Sequence, residues 1–282
     1  MVTAKDLMNK PITISKTASI SEAIKKLVDE NISRLLVVEN DKTVGIVTEK
    51  DIGLFLLSDQ TMRKMDEIPL TETMKEVVFV DPSITIKECA KTMANRQISS
   101  LVVGSSNNLL GIFTKTDLAK HYAENYKGKR TVGEYMSTVY SWSYAKDPLY
   151  KVVRKMLEKR ISRIILRDEN EMPVGIMTLR DLFKTALNYG NEKDIEDNTQ
   201  PDISVIFSRK GFLSESGFGG ITFANQLMKE NIISVNYDDD LAKACDVMLK
   251  NKINGVGVLS GRGTMVGIVS KTDVASALAT TD

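Results

Sequence analysis

The chain has 282 residues, 42% of them hydrophobic, which is enough to fill one large or two medium cores. Thirty-eight basic residues balance 37 acidic ones for a formal net charge of +1, so no overall field favours nucleic acid or an anionic membrane. No apolar run approaches the roughly 20 residues that cross a bilayer, and one histidine with two cysteines offers no metal-ligand cluster and no hydrolytic triad.

The opening MVTAKDLMNKP has no apolar signal core, so a cytoplasmic location is expected and no membrane partner. PITIS follows as an extended stretch. Ile20, Ile24, Leu27 and Val28 then keep a helical period, with Ser19 and Glu22 at capping-box spacing. ISRLLVV reads as a buried strand, and after a polar turn VGIVTEKD, residues 44–51, reads as a strand running into a second helix.

That succession returns three times. The closing segment recurs as LGIFTKTD, VGIMTLRD and VGIVSKTD, with glycines at 45, 111, 175 and 267. Met8, Met74, Met136 and Met228 precede those glycines by 37, 37, 39 and 39 residues. Each methionine leads an extended stretch: PITIS, VVFVD, VYSWS or IISVN. Thr85 with Glu88, Pro148 and Asp240 suit the starts of the other first helices. Cys89 and Cys245 fall among the apolar positions of such helices and read as reduced core residues.

The unit is strand, helix, strand, strand, helix, an α+β fold with a small sheet covered on one face by two helices. Its open face should pack on a second copy. Repeats are expected over 1–60, 68–126, 131–188 and 221–280, paired first with second and third with fourth and joined near YKGKR. Residues 189–220 are polar and glycine-rich around a short VIF strand candidate and read as an inserted loop; its SRKG reads as solvated.

In register, the four G-h-h-T/S-x-x-D segments, the methionine-led stretches and the I-S-R/S strands resemble the CBS domain family over nearly everything except the insertion. The resemblance implies two Bateman modules, each with two clefts able to hold AMP, ADP, ATP or a related adenosine compound such as S-adenosylmethionine. By similarity the ribose acceptors are Asp51, Asp117, Asp181 and Asp273, with Thr48, Thr114, Thr178 and Ser270 as hydroxyl donors. The base is expected against the extended stretch of the paired repeat, at Thr13, Val78, Tyr140 and Ile233. Ser33 with Arg34 and Ser162 with Arg163 stand where the family often places a phosphate contact, whereas the other repeats carry Ser99 with Ser100 and Asn254 with Gly255, so the clefts should differ.

Physical chemistry supports such a site: a carboxylate accepts from a vicinal diol, helix N-terminal amides suit phosphate, and arginine matches phosphate oxygens. Lys50 and Arg180 are further phosphate candidates; His121 reads as a surface residue. The same Thr-x-x-Asp spacing also fits four plain helix caps, although Glu or Gln is the commoner capping-box partner. The functional expectation is a regulatory adenosine sensor acting on a separate effector protein, as a monomer or a homodimer. A nucleic-acid regulator, a ligand-free scaffold and an enzyme are the alternatives, and GFLSESG lacks the spacing of a nucleophile elbow.

Overall fold

A computed structural model describes residues 2–59, 61, 63–189 and 218–280. The VIF and SRKG stretches lie outside the described residues. At the far end of the segment read as a loop, a short helix already covers Phe218–Ile221.

The first repeat opens with α1 (Ala4–Leu7), followed by β1 (Thr13–Ser15), α2 (Ile20–Asp29), β2 (Arg34–Glu39), β3 (Lys42–Thr48) and α3 (Glu49–Ser58). The second contains β4 (Phe79–Val80), α4 (Ile86–Asn95), β5 (Ser100–Ser105), β6 (Asn108–Thr114) and α5 (Lys115–Asn125). The third runs through α6 (Val132–Tyr135), β7 (Trp142–Tyr144), α7 (Leu149–Glu158), β8 (Arg163–Arg167), β9 (Pro173–Thr178) and α8 (Leu179–Tyr189). After α9 (Phe218–Ile221), the fourth contributes β10 (Ser234–Asn236), α10 (Leu241–Lys250), β11 (Gly255–Leu259), β12 (Met265–Ser270) and α11 (Lys271–Thr280).

Each repeat folds its own three-stranded sheet, in which the first strand runs parallel to the second and the second antiparallel to the third. The first helix of every repeat buries the stripe its period demands: Ile20, Ile24 and Leu27 are at most 1% exposed, and Leu149, Val153 and Met156 are fully buried. Ser19–Glu22 and Thr85–Glu88 close reciprocal capping boxes, and the Asp240 carboxylate accepts from the Ala242 amide.

The four units close into a ring. Within the first module the sheets meet face to face through Leu36, Val102 and Ile112. Between modules the contacts are helical: α4 and α5 of the second repeat pack on α10 and α11 of the fourth, and α2 and α3 of the first pack on α7 and α8 of the third. A single core therefore spans the second and fourth repeats, joining Leu118 and Tyr122 to Val274 and Leu278, while Phe183 of the third repeat enters the core of the first. Cys89 and Cys245 are free and fully buried in that shared core.

Pairing within a module also involves exchange. The α1 segment caps the second repeat, with Ala4 N–H donating to Ile84 O at 2.9 Å, while Ile20 N–H of the first repeat donates to Ile68 O in the leader of the second, also at 2.9 Å. Val132 N–H to Asp239 O and Ala224 N–H to Asp147 O repeat the exchange in the second module, at 2.8 and 3.0 Å. Each leading segment thus packs on the repeat to which it does not belong in sequence.

Candidate functional site

The repeated glycines are the landing points of that exchange. A Cβ on Gly111 would lie 2.6 Å from Met8 Sδ, and one on Gly175 the same distance from Met228 Sδ. A Cβ on Gly267 would meet Ser137 O at 2.7 Å and Met136 Sδ at 3.0 Å, and one on Gly45 would overlap Met74. At each repeated glycine the group that approaches is the methionine of the paired repeat.

Beyond each glycine the chain leaves the sheet and starts a helix, and there the four aspartates act as caps. Oδ2 of Asp51, Asp117, Asp181 and Asp273 accepts from the backbone N–H of Thr48, Thr114, Thr178 and Ser270 at 3.1, 2.7, 2.9 and 2.7 Å. The same oxygen takes the hydroxyl of that residue at 2.5 to 2.8 Å. A carboxylate one carbon shorter than Glu closes the box in all four repeats, so the choice of Asp does not by itself argue for a ligand. Capping uses one oxygen and leaves Oδ1, so capping and ribose binding do not exclude each other.

Two cavities lie between the paired sheets. The larger, of about 340 Å³, contains Thr48 and Asp51 in one wall and Val78 with Ser99 and Ser100 in another. Six cationic side chains, Arg34, Lys50, Lys75, Lys115, Arg163 and Lys271, line it against three carboxylates, Glu49, Asp51 and Glu76. The smaller, of about 230 Å³, is formed by Ser270 and Thr272 with Ser141, Ile165, Ile176 and Ile268, and carries Lys50, Arg160 and Arg163 without a carboxylate. Lys50, Ser162, Arg163 and Thr272 border both cavities, so the two meet where the modules meet.

Crowding of cations shows in their acidities. Burial, with Lys50 and Arg34 nearby, pulls Lys115 down to about 8, and burial with Arg163 and Arg34 does the same to Lys271. Burial also lowers Arg34 and Arg163 to about 10, which leaves both charged at neutral pH. Arg34 reaches the paired repeat, its Nη1 donating to Ser99 O at 2.7 Å and its Nη2 to its neighbour Ser33 Oγ at 3.0 Å. The Arg163 guanidinium lies against Gly255, where any side chain would overlap it. The glycine that made the fourth repeat look poor in phosphate ligands is the space its partner's arginine occupies.

Other expected contacts fall elsewhere. Arg180 is committed across the module boundary, its Nε donating to Glu49 Oε1 at 2.7 Å and its Nη1 to Asn31 Oδ1 at 2.6 Å. The bonds to Val102, Leu36, Ile165 and Gly257 make Val78, Ile12, Ser141 and Ile233 the equivalent positions. Thr13 and Tyr140 are therefore each one residue out of register. Thr13 pairs with Leu36 in the sheet, and Ile233 borders neither cavity. The Tyr140 hydroxyl accepts from Arg167 at 3.0 Å, and that guanidinium also sits 4.6 Å from the Trp142 ring centre, which accounts for the aromatics of VYSWSY without a base. His121 is only 8% exposed and packs edge-on to Tyr126 at 5.9 Å, and burial lowers its pKa; it is a packed residue of a helix rather than a surface one.

Among the described residues no cluster of His, Cys, Asp or Glu could hold a metal, and no helix is long and apolar enough to cross a membrane.

The profile of the CBS domain family matches residues 4–57, 67–124, 132–188 and 224–280. The uncharacterized protein MJ1225 of Methanocaldococcus jannaschii is 22% identical over 94% of this chain and 94% of its own. Its crystal structure superimposes with a TM-score of 0.80 at 21% identity, covering 99% of this chain and 100% of that one. An uncharacterized conserved protein from Pyrococcus horikoshii gives a TM-score of 0.63 at 19% identity, covering 98% and 100%. The CBS domain-containing protein YhcV of Bacillus subtilis is 30% identical over 44% of this chain and 89% of its own.

Proposed function

This chain belongs to the CBS domain family, and from that premise we propose that it is a regulatory protein whose ligand is an adenine nucleotide held between paired repeats. The observation that carries the reading is the charge of the larger cavity, six cations to three carboxylates, one of which is already tied to Arg180. A nucleoside bearing phosphate relieves that imbalance. A ligand bearing a sulfonium adds to it, which places AMP, ADP or ATP ahead of S-adenosylmethionine. In this reading Asp51 Oδ1 accepts from the ribose hydroxyls, the base lies against Val78 and Ile46, and the phosphates point to Lys50, Lys115, Arg163 and Lys271. The cations of the smaller cavity, Lys50, Arg160 and Arg163, support a second nucleotide in the same way, beside Ser270, the residue that Asp273 caps.

Because the ligand bridges two repeats, its binding energy biases their relative angle, provided the two arrangements differ in affinity. That change is the signal read by a separate effector protein.

Thermal unfolding of nucleotide-stripped protein tests the reading. AMP, ADP or ATP at a hundred times its dissociation constant adds about 2.7 kcal/mol, a rise of roughly a few degrees. Adenosine without phosphate gives a much smaller rise at the same concentration. Asp51→Asn keeps an oxygen for the cap but turns a donor toward the ribose, so affinity in the larger cavity drops about 10- to 100-fold. Absence of a shift with every adenosine compound rejects the reading.

A further inference from the structure

Two of the four capping carboxylates have lost their remaining oxygen to the paired repeat, and two have not. The residue after each exchanged methionine forms a two-bond bridge with the residue after the paired glycine: Asn9 with Ile112, Lys75 with Ile46, Ser137 with Ile268 and Lys229 with Ile176. That bridge brings the side chain of the post-methionine residue to the aspartate five residues further on. Asn9 Nδ2 donates to Asp117 Oδ1 at 2.7 Å, and Lys229 Nζ pairs with Asp181 Oδ1 at 2.8 Å. Among the described residues Asp51 and Asp273 are bonded through Oδ2 alone, to the residues they cap. Lys75 stands in the wall of the larger cavity without pairing with Asp51.

The cavities follow this division at the capped residues, since Thr48 borders one and Ser270 the other while Thr114 and Thr178 border neither; of the four aspartates themselves only Asp51 lines a cavity. We infer that Asn9 and Lys229 are internal plugs which take the ribose-acceptor oxygen of Asp117 and Asp181, so that the chain binds two adenosine ligands rather than four. The inference rests on the adenosine reading above and adds to it the residues that decide which clefts fill. Net charge does not set the count; the group already hydrogen-bonded to each aspartate does. A ligand diol entering at Asp181 must first displace an ammonium, and one entering at Asp117 an amide.

Stoichiometry is the readout, because a purely structural role for these side chains would leave it unmoved. Lys229 has 64% of its side chain exposed, so Lys229→Ser removes the plug without opening a hole in the core. Nucleotide-stripped protein is titrated calorimetrically with AMP, and equilibrium dialysis with labelled AMP extends the count to weak sites. The expected count is two for the natural chain, three for Lys229→Ser, three for Asn9→Ser and four for the double variant. Ser137→Lys, which carries a plug to the Asp273 cleft, takes the count to one. Circular dichroism and melting curves verify that the variants fold. A natural count of two that stays at two in Lys229→Ser and Ser137→Lys overturns the inference and leaves the adenosine reading standing, as does a natural count of four. No binding of AMP, ADP, ATP or S-adenosylmethionine to the natural chain overturns the adenosine reading, and the plugs with it.

Discussion

At the scale of single residues, the aspartate of each repeat does two separable things with its two oxygens. Replacing any of the four by Ala removes a cap and should cost about 1 kcal/mol, measured by urea unfolding. Only Asp51→Ala and Asp273→Ala should also abolish nucleotide binding at their clefts. The sequence announced the aspartates but not this division, because the second partner of each carboxylate comes from a segment some fifty to a hundred residues away: Asn9 to Asp117, Lys229 to Asp181. The glycines were equally visible and equally ambiguous. At Gly267 the obstacle to a Cβ is the backbone oxygen of Ser137, which cannot swing aside as a methionine tail can. Gly267→Ala should therefore destabilise the fourth repeat by about 1–3 kcal/mol, and Gly111→Ala by less, since Met8 can repack. The comparison is read from urea midpoints at a fixed m-value.

At the scale of elements, helix and strand placement was legible because period and capping chemistry coincide: Ser19, Thr85 and Asp240 each sit at a first-helix start and cap it. What periodicity could not supply was the alignment of the extended stretches, since the third and fourth leaders carry two more residues before their glycine than the first and second. Tyr140 for Ser141 is the cost of that slip. The second helices contribute the paired lysines, with Lys115 Nζ donating to Thr272 Oγ1 and Lys271 Nζ to Thr116 Oγ1, each at 3.1 Å. Both amines sit at about 8 in the folded protein, below their ordinary 10.5. Between those values the unfolded chain binds more protons than the folded one, so stability of the ligand-free protein should rise with pH across that window. Nucleotide affinity should move the opposite way, falling above about pH 8 as the lysines discharge. Urea unfolding without ligand and titration with AMP, each at pH 7 and 9.5, check the two signs.

At the scale of the whole molecule, the pairing of repeats within modules was inferable from the open face of each sheet, and the contact between modules was not. Nothing in the sequence of α5 says that it faces α10 and α11 rather than solvent, because a second buried face on a helix reads as a broader apolar stripe. Leu118 and Leu278, 0% and 3% exposed, sit in that shared core. Leu118→Ala should cost about 2–5 kcal/mol and lower the stability of both modules together, seen as one displaced transition. Cys89 and Cys245 report on the same core. Burial pushes both thiols up to about 12, so neither should react with a disulfide reagent until the core opens, and the two should then react at one rate.

The exchange of leading segments also changes what a truncation means. Val2 to Asn9 belong to the first repeat in sequence, yet α1 hydrogen-bonds to Ile84 and Pro82, Met8 fills the space over Gly111, and Asn9 covers Asp117. Trimming those residues would leave the first repeat whole and injure the second, by exposing its core and uncovering its aspartate at once. Any dissection of this protein that cuts by sequence order will assign such a defect to the wrong repeat, and removing a whole pair would still open the core that the second repeat shares with the fourth.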